Sequence, residues 1–238
     1  MTVAKRRLST LPVYSELPEW CDDHDFLKGI RECVEAQKLA AEGHLLEQYK
    51  PCETASDQVS EDALRGILGK GVDVHGISRQ PEISNVVVFN AKAIGGSVAS
   101  ADVVELRRRV DELVAAKVRE TFDIGKRWGV TCSGHFWYPP GGYMGWHTNA
   151  AAPDWRLYIA YAEEPDRSFF RYRDPKTSEI VTAMDRGWSV RLFHANSDNP
   201  LWHAVYSETN RFSLGYRVHP WRPVKSISRG IKSRLGMI

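Results

Sequence analysis

Two textures of apolar and polar positions divide the chain. From His24 to Tyr49 the residues Phe26, Leu27, Ile30, Val34, Leu39, Leu45 and Leu46 recur at roughly helical spacing among charges, and Pro51 stops the pattern. One helix is expected there, open to a break at Gly43. Ser60 precedes Glu61, Asp62, Leu64 and Ile67, the arrangement of an N-cap and an acidic first turn, so a second, shorter helix follows it. The clearest stripe joins Val103, Leu106, Val110, Leu113, Val114 and Val118, with Arg107, Arg108, Asp111 and Glu112 off it. It predicts a helix from Ser100 to Phe122 that lies across a sheet. Between these helices the run Val86-Val87-Val88 favours a strand from Ile83 to Phe89.

After Gly129 short aromatic and β-branched stretches alternate with Pro, Gly, Asp and Asn turns. The stretches are Val130–Tyr138, Gly142–His147, Trp155–Ala162, Ser168–Arg173, Glu179–Met184, Trp188–His194, Leu201–Tyr206 and Arg211–Val218. Strands at intervals of about ten residues, with no helical text between them, indicate a sandwich or jelly roll rather than βαβ units. The expected class is mainly β with flanking helices (α+β), in a single domain over residues 1–238. Within it, residues 1–128 form a mostly helical support region, 129–219 the jelly-roll core and 220–238 a basic extension.

Composition narrows the class without changing it. The chain has 238 residues, 42% of them hydrophobic, with 18 Gly, 12 Pro and 4 Cys, enough apolar text for a core and no residue type in gross excess. A disordered tail, a collagen-like fibre and a disulfide-stapled mini-protein are excluded. Cys21, Cys33, Cys52 and Cys132 show no CxxC spacing, and MTVAKRRLST lacks the apolar stretch of a signal peptide, so a reducing cytoplasm is the expected location. No run of about 18 apolar residues announces a membrane span. The formal charge of +2 announces no nucleic-acid partner. Charge is nevertheless uneven: Arg217, Arg222, Lys225, Arg229, Lys232 and Arg234 crowd the C-terminal stretch with no acid among them. A solvated extension is the plain reading, and a nucleic acid or other polyanion bound there is the sharper one.

Most histidines need no special role. His24, His44 and His75 sit in polar text and read as surface residues, while His135, His194 and His219 lie in or beside strands and read as core or rim. His147 and His203 differ in their surroundings. Pro139-Pro140-Gly141-Gly142 forces a turn, after which His147 and Asn149, two apart, face one side of an extended segment. His203 follows the turn Asp198-Asn199-Pro200 on a short strand. If Val205 pairs with Arg211 across the polar loop, His203 pairs with Ser213 and all four side chains share one face.

With Tyr138, Gly142, His147, His203, Arg211 and Ser213 in this order and spacing, residues 129–218 resemble the Fe(II)/2-oxoglutarate-dependent oxygenases, particularly their prolyl-hydroxylase-like branch. Arg156 after His147, and Gly187 through Phe193 ahead of His203, are also similar. The resemblance implies a double-stranded β-helix, with Fe(II), 2-oxoglutarate and O₂ as cofactor and co-substrates. It implies His147, Asn149 and His203 as the metal positions, and Arg211 and Ser213 as the grip on the far carboxylate of 2-oxoglutarate, with Tyr138 and Tyr161 as further contacts. Trp146, Arg156, Arg171, Arg173, Arg191 and Asn196 are candidates for the substrate side. The expected activity is C–H hydroxylation of a substrate that the sequence does not identify. Asn149 departs from the family, which carries a carboxylate there. An amide brings an oxygen but no charge, so iron is expected to bind more weakly. Three readings follow: Asn149 ligates through its oxygen, stands off and leaves the position to water, or admits halide as in halogenases. A non-catalytic jelly roll that binds an anionic partner through the basic tail is the competing class.

Overall fold

A computed structural model of the protein describes residues 4–42, 49–70, 84–89, 93–94, 97–98, 101–149 and 153–221. The chain starts with β1 (Tyr14–Glu16), the single-turn α1 (Pro18–Cys21) and α2 (His24–Glu42). Asp23 opens α2, its Oδ1 accepting from the Phe26 N–H at 3.0 Å. The expected stretch of this helix toward Tyr49 falls on residues 43–48, outside the described residues. α3 (Glu61–Lys70) begins behind Ser60, whose Oγ accepts from the Ala63 N–H at 3.1 Å. β2 (Ser84–Asn85), β3 (Val87–Phe89), the short pair β4 (Ala93–Ile94) and β5 (Ser97–Val98), and α4 (Ala101–Thr121) follow. Then come β6 (Trp128–Tyr138), β7 (Gly142–His147), β8 (Trp155–Ala162), β9 (Ser168–Arg173), β10 (Ile180–Met184), β11 (Trp188–His194), β12 (His203–Ser207) and β13 (Arg211–Pro220). Of the basic extension, only Pro220 and Trp221 are among the described residues, and its expected role lies outside them.

The strands form two sheets, one in the order β1-β11-β8-β13-β6-β3 and the other in the order β10-β9-β12-β7-β2. In chain order, β6, β8, β11 and β13 belong to the first and β7, β9, β10 and β12 to the second, so the chain winds back and forth between two facing layers. This is the double-stranded β-helix, a jelly roll. Period-two alternation assigns each strand's two faces. Leu157, Ile159, Val190, Leu192, Phe212 and Leu214 face outward from the first sheet, under Ile30 of α2 and Val110, Val114 and Val118 of α4. The second sheet turns Tyr143, Trp146, Trp202 and Ala204 outward, beneath Val59 and Leu64. Each such aliphatic side chain, fully buried, contributes about 1.5–3 kcal/mol. Between the sheets lie Tyr138, Phe170, Tyr172, Phe193, Leu201 and Val205.

One expected pairing does not form. β12 pairs with β7 and β9, and β13 with β6 and β8, so His203 does not lie opposite Ser213, nor Val205 opposite Arg211. Both edges of each strand are already taken by other partners, and the Glu208–Asn210 connection passes from one layer to the other. The residues still share a space, because the inner faces of the two layers point at each other. Two irregularities in register then re-aim particular side chains. Between β7 and β12, His147 lies opposite His203 but Met144 lies opposite Val205, so Met144 and His147, three apart, both reach the interior. Between β6 and β13, Gly134 lies opposite Gly215 and Cys132 opposite Tyr216, which leaves Ser133 without an opposite number.

Candidate metal and co-substrate site

The inner faces of β6, β7, β8, β12 and β13 enclose a cavity of about 230 Å³, whose walls include His147, Asn149, Arg156, Tyr158, His203 and Arg211. His147 and His203 face each other across the β7–β12 pair with ring centroids 4.1 Å apart. His147 Nδ1 donates to the Gly145 carbonyl at 2.8 Å and His203 Nδ1 to the Leu201 carbonyl at 3.0 Å. A carbonyl only accepts, so each Nδ1 carries the hydrogen and each Nε2 keeps a lone pair. The backbone thereby sets both tautomers in the form that binds a metal through Nε2. Burial lowers the pKa of both imidazoles; His203, with its ring against Phe170 and Phe193, is pushed furthest, the neighbouring His147 adding to the effect.

Asn149 completes the cluster. Its Nδ2 donates to the Tyr158 hydroxyl at 3.2 Å and approaches His203 Nε2 at 3.2 Å. The amide therefore stands at the His203 lone pair. In this orientation its nitrogen end faces the imidazole, and a half-turn about the terminal torsion puts Oδ1 there instead.

The opposite wall carries the cation. Arg211 is 1% exposed, with its guanidinium carbon 5.1 Å from the centre of the Tyr138 ring. Its Nε donates to Asp185 Oδ2 at 2.8 Å, while its Nη1 is buried with no hydrogen-bond partner among the described residues. Asp185, fully buried, also accepts from Arg191 Nη1 at 2.7 Å and from Ser168 Oγ at 2.8 Å. Burial alone raises the Asp185 carboxyl, but Arg211 and Arg191 more than offset it and hold the group well below the usual carboxylate range. Two guanidiniums thus share one fully buried carboxylate; the Glu16 carboxylate, 3.7 Å from Arg191, is half exposed and screened. This cluster thus carries one excess positive charge, and Arg211 Nη1 is left without a partner among the described residues.

The structure brings His147, Asn149, His203, Tyr138, Arg156, Arg211 and Ser213 to one cavity. Other candidates lie elsewhere. Tyr161 is an odd number of residues from Tyr158 on β8, so it points to the outer face and lines a groove with Lys38 and Trp188 instead. Trp146 also faces outward, its Nε1 donating to the Ser60 carbonyl at 2.7 Å. Arg191 is tied into the Asp185 pair rather than a substrate mouth. Asn196 caps its own turn, its Oδ1 accepting from the Asp198 N–H at 2.9 Å. Arg171 donates to the Val59 carbonyl and Arg173 to Ser178, both away from the cavity. Asp154, the nearest acid to Asn149 in sequence, pairs with Arg217. Sequence reasoning missed Tyr158 and Asp185. Alternation from Arg156 marks Tyr158, two residues on, as its neighbour on the same face. Asp185 stands in a turn, where an acid reads as a turn former.

No protein-family model matches the chain. No curated protein matches it either. Among solved structures, it is similar to a prolyl-4-hydroxylase from Pseudomonas putida, with 15% identity, a TM-score of 0.45, and coverage of 91% of this chain and 96% of that one. It is also similar to a prolyl hydroxylase from Trichoplax adhaerens, solved in complex with a hypoxia inducible factor peptide fragment, with 13% identity, a TM-score of 0.40, and coverage of 83% and 93%. A third is an oxidoreductase of the 2OG-Fe(II) oxygenase family from Burkholderia pseudomallei, with 13% identity, a TM-score of 0.38, and coverage of 58% and 67%. The likenesses are distant, and the functional reading rests on the residues that line the cavity.

Proposed function

We propose that the protein is an Fe(II)- and 2-oxoglutarate-dependent oxygenase that oxidises a C–H bond of a bound substrate. The observation that carries this is the pairing, in one cavity, of two neutral imidazoles that present Nε2 lone pairs with a buried guanidinium whose Nη1 has no partner. The residues fit both groups: imidazole suits Fe(II), and a guanidinium fork suits a carboxylate. His147 and His203 would hold Fe(II), which with 2-oxoglutarate and O₂ would supply decarboxylation to succinate coupled to oxidation of the substrate.

The chain's own residues do the rest. Gly145 and Leu201 carbonyls keep the imidazoles in register for the metal. Asn149 offers Oδ1 to the third position after its amide turns over, and the Tyr158 hydroxyl then donates to that oxygen. Arg211 Nη1 and the Ser213 hydroxyl bind the far carboxylate of 2-oxoglutarate, whose charge meets the excess cation left by the Arg191–Asp185–Arg211 cluster. Phe170, Phe193, Met144 and Val205 keep this end dry, which strengthens those contacts. Arg156 adds a second guanidinium to the cavity wall, on the substrate side. All four cysteines are free thiols. No helix among the described residues is long and apolar enough to cross a membrane.

With Fe(II), 2-oxoglutarate and O₂ the protein should release succinate. It should also gain thermal stability from Mn(II) with N-oxalylglycine, which stand in for Fe(II) and 2-oxoglutarate. His147→Ala and His203→Ala should lose both responses. A wild-type protein that shows neither response overturns the proposal.

A further inference from the structure

A second cluster of potential ligands sits on the other side of the first sheet, under the helices. Asp111 of α4 and Cys132 and His135 of β6 present ligand atoms that all lie within 4.8 Å of one another. We propose that Cys132, His135 and Asp111 form a second metal site, separate from the His147–His203 pair, for a borderline-soft divalent cation such as Zn²⁺.

The local backbone is shaped to assemble these groups. Cys132 and His135 are three apart on one strand, and regular alternation sends such residues to opposite faces. The bulge at Ser133 absorbs the extra step: Cys132 lies opposite Tyr216, Gly134 opposite Gly215, and both Cys132 and His135 turn outward toward α4. A Cβ at Gly134 would stand 2.5 Å from the Phe136 ring, so any side chain at this bulge would force that ring to move.

Hydrogen-bond accounting shows which imidazole nitrogen is available. Gln37 Nε2 donates to the Cys33 carbonyl at 3.2 Å, so its other end is the oxygen, and that oxygen lies 3.2 Å from His135 Nδ1. Nδ1 must then carry the hydrogen, which leaves Nε2 as a lone pair. The Tyr216 hydroxyl approaches it at 3.4 Å, but that hydroxyl has one hydrogen and already reaches Asp111 Oδ1 at 2.9 Å. The Nε2 lone pair is thus poorly served in a residue only 1% exposed. Gln37 plays the part that a backbone carbonyl plays for the other two histidines, fixing the tautomer from behind.

Chemistry and access agree with this assignment. A thiolate, an imidazole and a carboxylate are the donor set of zinc, and tetrahedral bonds of about 2.0–2.3 Å place ligand atoms about 3.5 Å apart. The three groups need to close by little more than an ångström. Two anionic ligands balance a divalent ion, and the Cys132 proton leaves to solvent as it binds. The Arg107 guanidinium lies beside Asp111 and Cys132 and favours their anionic forms, against the burial that raises the pKa of both. Asp111 and Cys132 are only half-buried, which leaves a route of entry.

Co(II) is the probe that separates the two sites, because a thiolate ligand gives an intense near-ultraviolet charge-transfer band and the His147–Asn149–His203 cluster contains no sulfur. The chelator-treated full-length protein should develop this band with one equivalent of Co(II), and Zn²⁺ should bleach it. The band should survive in His147→Ala/His203→Ala, disappear in Cys132→Ser and need at least tenfold more Co(II) in Asp111→Asn. Absence of the band in the wild type, or its persistence in folded Cys132→Ser, overturns the site. If Cys132→Ser does not fold, Asp111→Asn decides: an unchanged titration overturns the site.

Discussion

At the residue scale, what distinguishes this cavity is where charge is present and where it is withheld. The Asn149 amide lies 3.2 Å from His203 Nε2, the place that the proposed function gives to a third, uncharged metal ligand. Asn149→Asp should therefore tighten divalent-metal binding by tenfold or more in a titration of the metal-free protein, with Tyr158 turning from acceptor to donor. Weaker binding in that variant would mean that the amide holds a geometry the carboxylate cannot. At the other wall, Asp185 positions Arg211 by taking its Nε, which leaves Nη1 without a partner among the described residues and, on the proposed function, facing the co-substrate. Arg211→Lys puts a compact point charge where a fork is needed. It should raise the KM for 2-oxoglutarate about 10–100-fold, as expected for losing about 1.5–3 kcal/mol of charged hydrogen bonding, with metal affinity unchanged. Asp185→Asn leaves two buried guanidiniums without their shared anion, and denaturant unfolding should show a loss of about 3–5 kcal/mol. Of these residues, the sequence marks His147 and Asn149 because side chains two apart on a strand share a face, and His203, Arg211 and Ser213 through the resemblance alone, since the hairpin expected to join β12 to β13 does not form. It does not mark Asp185, whose role depends on two arginines brought to it from separate strands.

At the element scale, the eight segments with short-period texture fold into β6 to β13 nearly at their expected bounds, since aromatic and β-branched stretches between turn residues leave little choice. Pairing is less legible. The loop between β12 and β13 looks like a hairpin connection but carries the chain from one layer to the other, and only the competition among all the strands decides that. Bulges are less legible still. Nothing in Gly145-Trp146 or Ser133-Gly134 announces which residue lacks an opposite number, yet one bulge turns His147 inward and the other turns Cys132 and His135 outward. Tyr161 was misplaced for the simpler reason that a tyrosine reads alike on either face. The turn that leads into β7 supplies a test at this scale. Gly142 N–H donates to the Pro139 carbonyl at 2.7 Å, and a Cβ on Gly142 would sit 2.7 Å from that same oxygen and 2.9 Å from Tyr138 Cα. Because the obstruction is backbone, Gly142→Ala should cost about 1–3 kcal/mol in an unfolding titration. An unchanged midpoint and slope would show that the turn relaxes freely.

At the scale of the whole molecule, three layers divide the labour. α2 and α4 cover the outer face of the first sheet, α3 and its preceding turn cover the second, and the space between the sheets holds the polar cluster. Asp185, buried between Arg191 and Arg211, makes two guanidiniums tolerable in so dry a place. On the proposed function, His147 and His203 bind one Fe(II) and Arg211 anchors a 2-oxo dicarboxylate against it. Anaerobic titration of the Fe(II) protein with 2-oxoglutarate tests this most directly, through the visible charge-transfer band that arises only when the 2-oxo acid chelates the iron. The wild type should develop the band at saturation, Arg211→Ala should need far more 2-oxoglutarate to reach it, and His203→Ala should not develop it at all. A wild type that binds 2-oxoglutarate without the band, or a band indifferent to both substitutions, would contradict the assignment.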